Sequence, residues 1–164
     1  MALAFSAESS RKIAEITARY PNQQAALLRV LHVAQAEFGH VGSDVQELVA
    51  STLGLPQAHV WGVVTFYTMY HREKVGKNVL MVCTNISCML RDAEGILAHI
   101  EKKLSIKPGD TTPDGMFTLV EEECLAACAD APMMICGDKY FMRLDNAKVD
   151  AALDELRKHP RSEH

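Results

Sequence analysis

The sequence predicts an α+β fold in two parts, an N-terminal helical bundle over residues 1–73 and an α/β layer over residues 74–164. Three observations predict it. From Ser9 to about Met69 apolar residues recur at spacings of three and four, the rhythm of amphipathic helices. At Val79-Leu80-Met81-Val82 that rhythm gives way to a short continuous apolar run of the kind that makes a buried strand. After it, clusters of Pro, Gly and Asp divide the chain into short segments.

In the first part, Ile13, Ile16 and Tyr20 share a face, and Pro21 breaks the segment. Leu27, Leu31, Ala34 and Phe38 form the next stripe, which ends at Gly39. Ser43-Asp44-Val45-Gln46 has the form of a capping box. The helix it opens carries Val45, Leu48, Val49 and Leu53 and closes at Gly54. Pro56 suits the first turn of a fourth helix with Val60, Val63 and Val64 inward. In the second part, the strand at 79–82 is followed by a helix with Leu90, Ala93, Ile96, Leu97, Ile100 and Leu104 on one side. The turn-rich KPGDTTPDG leads into a strand at 116–120. Residues 132–136, then Gly137-Asp138, then 139–143 read as a β-hairpin with a two-residue turn. A last helix spans about 146–158, with Val149, Leu153 and Leu156 inward. Strand, helix, strand, hairpin, helix is the order of an α/β layer of thioredoxin-like type.

Composition narrows the function. Of 164 residues, 48% are apolar and 23% charged, enough for a sizeable core. A net charge of −4 argues against nucleic acid, which selects basic surfaces. No window approaches the eighteen apolar residues of a membrane span. The opening MALAFSAESSRK lacks the basic and apolar regions of a signal peptide, so a cytoplasmic protein is expected. In a reducing compartment, five spaced cysteines point to metal binding or redox work rather than to disulfides.

Cys83 and Cys88 are separated by four residues and Cys124 and Cys128 by three, each pair beginning where a strand runs into a loop. Loops expose backbone N–H groups that can hydrogen-bond cluster sulfurs. Four thiolates complete a 2Fe–2S site, which carries one electron at a time. They equally complete a tetrahedral zinc site, although zinc pairs usually have two residues between them. Thiol exchange of thioredoxin type lacks its C-x-x-C, and a Rieske centre lacks its histidines, the nearest being His99. Cys136 reads as a small buried hydrophobe, and the seven histidines show no metal-ligand spacing. The run Glu121-Glu122-Glu123 beside Cys124 reads as a solvated edge that could also lower a cluster's potential. No Gly-rich nucleotide motif is present, and no catalytic set can be assembled, so no catalytic residue is assigned. The chain reads as a carrier that needs a partner.

Three stretches then become recognisable: V-C-T-N-I-S-C-M-L-R (82–91), K-P-G-D-T-T-P-D-G-M-F-T-L (107–119) and E-C-L-A-A-C-A-D-A-P-M-M (123–134). With G-V-V-T-F-Y-T-M-Y (62–70), they closely resemble the small 2Fe–2S subunit family of NADH:quinone oxidoreductase, respiratory complex I. The resemblance covers residues 11–156. It implies a thioredoxin-like 2Fe–2S ferredoxin domain behind the helical bundle, with Cys83, Cys88, Cys124 and Cys128 as cluster ligands. It pairs Cys83 with Cys88 on one iron and Cys124 with Cys128 on the other. It implies a flavoprotein partner that binds FMN, NADH and a 4Fe–4S cluster and exchanges one electron with this subunit's cluster. It also implies a place in a hetero-oligomeric complex at the inner face of the cytoplasmic membrane. Two departures stand out: Ala126 replaces the glycine of C-L-G-x-C, and Asp92 sits where glycine is common after C-x-L-R.

The equivalent subunit of an NAD-linked hydrogenase or formate dehydrogenase shares this chemistry, while T-P-D-G-x-F-T-L leans toward complex I. A zinc-stabilised interaction protein is the alternative from another class. A helix-turn-helix reading of the first part meets the absence of any Lys or Arg between Ser43 and Met69.

Overall fold

The computed structural model describes residues 3–160; Met1, Ala2 and 161–164, which the two predicted parts include, lie outside the described residues. The chain folds as two compact units, the first ending at Lys74 and the second beginning at Val75.

The first unit holds α1 (Ala7–Thr17), α2 (Gln23–Phe38), α3 (Ser43–Leu53) and α4 (Gln57–Phe66). Asn22 opens α2, its side chain accepting the Ala25 amide at 2.9 Å, and Gly39 ends it in the left-handed conformation (φ 75°) that glycine adopts without strain. Leu27, Val30, Leu31 and Ala34 line the core with Val45, Val49, Leu53, Val60 and Val64. Several sequence expectations are corrected here. Tyr20 lies beyond the end of α1 and is exposed. The capping box does not form: Gly42 is the N-cap of α3, and buried Gln46 turns its amide to the Val41 carbonyl at 2.8 Å. Pro56 is the N-cap of α4 rather than its first residue. Gln35 fastens the segment after α4, donating to the Met69 carbonyl at 2.9 Å and accepting the His71 amide at 2.8 Å. Tyr70 is buried nearby, its hydroxyl donating to the Leu28 carbonyl, and burial pushes its pKa to about 12. Trp61, Phe66 and Tyr67 remain exposed.

The second unit contains β1 (Asn78–Cys83), α5 (Ile86–Met89), α6 (Ala93–Leu104), β2 (Phe117–Glu122), a 3₁₀ turn (Cys128–Asp130), β3 (Met134–Cys136), β4 (Lys139–Phe141) and α7 (Asn146–Lys158). The sheet order is β2-β1-β3-β4: β1 and β2 are parallel, and β3 runs antiparallel to both β1 and β4. A parallel pair needs a long crossover, here containing α6. No helix among the described residues is long and apolar enough to cross a membrane.

Strand alternation decides which residues meet. Leu80, Val82, Met134 and Cys136 pack with Ile96, Ile100, Leu153 and Leu156 of α6 and α7. Cys83, Met133 and Ile135 fall instead into a separate cluster with Cys88 and Ala93. The single helix expected after β1 is split. Leu90 lies between α5 and α6 and is exposed rather than inward.

Candidate metal centre

Cys83 ends β1, and its side chain belongs to the small apolar cluster that also holds Cys88, Ala131, Met133 and Ile135. The Asn85 side chain accepts the Ile86 amide at 2.8 Å and so opens the one-turn helix α5, which carries Cys88. Cys88 therefore sits on a short helix, not in the open loop that its spacing suggests. On the other side of the site, β2 runs out at Glu122, and the irregular segment after it carries Cys124 before the 3₁₀ turn begins at Cys128. Cys83 and Cys88 are buried, whereas Cys124 and Cys128 are exposed. Cys136 is wholly buried on the α6/α7 side, away from this cluster, with its sulfur 3.8 Å from Asn78 Oδ1.

The two cysteine segments are tied together. The Cys83 thiol donates to the Glu123 carbonyl at 3.2 Å, and Asn85 Nδ2 donates to the Glu123 carboxylate at 3.0 Å. Burial, with the adjacent Cys83 thiol next in effect, pushes the Cys88 thiol up to about 11; Cys128 acts on it in the same direction. Of the four predicted ligands, Cys83 and Cys88 thus interact directly, Cys128 bears on Cys88 only through charge, and Cys124 follows the residue that accepts from Cys83. Among the described residues, no three or more His, Cys, Asp or Glu side chains converge as they would around a single metal ion. A 2Fe–2S centre takes four thiolates shared between two irons, so an all-sulfur donor set at the ends of β1 and β2 fits that group. Cys88 would bind as the thiolate, and a cation beside it offsets the burial that otherwise keeps it protonated. The sequence missed Asn85, Met133 and Ile135 as parts of the site. Only Asn85 had a local signal, an Asn just before a helical turn.

Both departures from the family pattern lie at strained backbone: Ala126 has φ 60° and Asp92 φ 67°. Aspartate tolerates that region better than most residues. Alanine does not, and the penalty of ~1–2 kcal/mol exceeds glycine's entropic cost of ~0.5–1 kcal/mol. Ala126→Gly is therefore expected to raise stability by about 0.5–1 kcal/mol. A lower urea midpoint for the variant would contradict this.

The geometry has its counterpart among known proteins. The family profile described as thioredoxin-like 2Fe–2S ferredoxin matches residues 13–157. A NADH-quinone oxidoreductase subunit of Rhizobium meliloti (strain 1021) is 45% identical over 146 residues, covering 89% of this chain and 87% of its own. The NADP-reducing hydrogenase subunit HndA of Solidesulfovibrio fructosivorans is 33% identical over 145 residues, covering 88% of this chain and 85% of its own. Among solved structures, an NAD+-reducing NiFe-hydrogenase in the H2-reduced state superposes with a TM-score of 0.70 at 18% identity. That match covers 81% of this chain and 22% of the other, and it shows the fold alone. With the profile spanning both units and the four cysteines at the ends of β1 and β2, this chain belongs to the thioredoxin-like 2Fe–2S ferredoxin family.

Proposed function

We propose that this chain is the electron-transfer subunit of an NADH:quinone oxidoreductase, holding one 2Fe–2S cluster on Cys83, Cys88, Cys124 and Cys128. The observation that carries the reading is the placement of two cysteines at and after the end of β1 and two after the end of β2, with Glu123 tying the two segments together. When bound, the cluster supplies one-electron acceptance and donation. The protein's part is to hold two ligands in a buried apolar pocket and to present two at the surface, within reach of a redox partner. That partner is a flavoprotein subunit binding FMN, NADH and a 4Fe–4S cluster. The hetero-oligomer stands at the inner face of the cytoplasmic membrane. The 45% identity to a NADH-quinone oxidoreductase subunit supports this assembly. The likeness to HndA supports a second one, the equivalent subunit of an NAD(P)-linked hydrogenase. Family membership favours the cluster over structural zinc.

Anaerobic purification followed by iron, sulfide and zinc analysis, with EPR of the dithionite-reduced protein, tests the reading. About two irons and two sulfides per chain are expected. One zinc without iron would replace it with the interaction-protein alternative.

The acidic run gives a further expected result. Glu122 pairs with Cys83 in the β1–β2 register, Glu121 is exposed, and Glu123 touches both Cys83 and Asn85. Each carboxylate opposes the extra negative charge of reduction by on the order of 0.5–1 kcal/mol, or tens of millivolts. Replacing all three with glutamine should raise the midpoint potential, more at low salt than at high. An unmoved potential in spectroelectrochemical titration would leave them a solvated edge.

A further inference from the structure

We propose that Arg143 and Asp130 form a clamp that positions the Cys128 turn for cluster retention and tunes its charge, an assignment that rests on the 2Fe–2S reading. Asp130 is the last residue of the 3₁₀ turn that begins at Cys128, and inside the turn its amide reaches only back to the Ala127 carbonyl at 3.0 Å. Arg143 holds it from β4's exit in three ways. Its amide donates to the Asp130 carbonyl at 2.7 Å, and its Nε and Nη2 both reach Asp130 Oδ1 at 2.8 Å. Next to it, the Leu144 amide donates to the Pro132 carbonyl at 2.9 Å, and Leu144 is rooted in the α6/α7 core.

Arg143 itself adopts φ 51°, a conformation costly for any side chain but glycine's. It is held there from the other side as well, because Lys148 Nζ donates to its carbonyl at 2.6 Å. Strain kept in place by several contacts marks a local task. Global stability is a poor explanation, since the Arg143 side chain is 74% exposed and exposed ion pairs contribute little. What the contacts secure is the far end of the segment bearing Cys124 and Cys128, whose near end is held by Glu123 against Cys83 and Asn85. Arg91, which follows the Cys88 helix, lines the same groove of about 490 Å³ as Arg143, Ala129 and Pro132. Both cysteine segments are thus backed by an arginine there.

The charges make the assignment testable by sign. Asp130→Asn leaves the guanidinium uncompensated and should raise the cluster's midpoint potential, while Arg143→Gln leaves the carboxylate uncompensated and should lower it. Both should speed iron loss to a chelator by roughly tenfold, the lower end of what an outer-shell partner contributes. Arg143→Lys should restore the potential and part of the retention. Arg143→Gly, which removes the two guanidinium contacts and relieves the backbone, should lose iron fast without a lower unfolding midpoint. The full-length protein, reconstituted and assayed for iron and sulfide first, separates the two hypotheses. A wild-type chain without a cluster sinks both. A loaded wild type whose variants match it in chelation rate and potential sinks the clamp alone. So do potentials that move in one direction together with a fallen unfolding midpoint, which is general disruption.

Discussion

Serine in place of Cys83, Cys88, Cys124 or Cys128 is expected to abolish or grossly alter the EPR signal of the reduced protein, whereas Cys136→Ser leaves the signal intact. The expected loss of affinity exceeds the roughly 10–100-fold that removal of an outer-shell partner causes, because a thiolate bonded to iron is itself removed. The four variants should part company in the metal-free protein. Cys124 and Cys128 are exposed, so their serine variants should unfold within about 0.5 kcal/mol of the parent. Cys83 and Cys88 are buried in an apolar pocket, and a hydroxyl there is costly when it lacks a partner. Cys83→Ser keeps the Glu123 carbonyl as an acceptor, which limits its loss. Full cluster content with an unaltered EPR signal in any of the four variants would remove that residue from the ligand set. Loss of the cluster on changing Cys136 would be just as damaging, since its side chain lies on the helix-covered face of the sheet.

Gly76→Ala is the second large effect. A Cβ at this position would lie 2.7 Å from the Phe117 carbonyl carbon and 2.9 Å from its nitrogen, closer than real Cβ contacts allow. The obstacle is backbone, so no rotamer change relieves it. The Gly76 amide also donates to Thr118 Oγ1 at 2.6 Å, and the Lys77 and Asn78 amides donate to the Gly115 and Met116 carbonyls. Entry into β1 is therefore stitched to entry into β2 just where the methyl group would push them apart. Phe117 is fully buried, with the Arg157 guanidinium 5.0 Å over its ring, and cannot retreat without disturbing α7. Overpacking of this kind costs about 1–3 kcal/mol, and the upper end is expected because the methyl group would meet the backbone of a sheet strand. Guanidinium unfolding followed by circular dichroism measures it; an unchanged midpoint would show that the strands part easily there.

Much of this was legible in the sequence. Four helices in the first unit followed from apolar spacing, and Gly39 and Gly54 marked two ends because both take φ > 0. The span of α7 was readable from the spacing of Val149, Leu153 and Leu156, and the structure adds the cap that fixes its start, Asp145 accepting the Lys148 amide. The hairpin was readable from Gly137-Asp138 between two short apolar runs, with Cys136 opposite Lys139 as a two-residue turn requires. Misreadings came where two local solutions compete. Ser43 was a plausible cap, but Gln46 found a buried carbonyl instead of reaching back to close the box. Leu90 fitted a helical stripe, but left-handed Asp92 interrupts the helix and turns Leu90 out to solvent.

The sequence by itself determined the helical and strand periodicities, the four-cysteine pattern and the family, because each depends on residue type and spacing along the chain. Only the tertiary structure decided that Cys83 and Cys136, both on strands, face opposite sides of the sheet. It alone separated the buried Cys83 and Cys88 from the exposed Cys124 and Cys128. It also brought Glu123 onto Cys83 and Arg143 onto Asp130, across 40 and 13 residues of chain. Pairings of that kind depend on strand register and on where loops return, which are settled by the packing of the whole sheet rather than by any local run of residues.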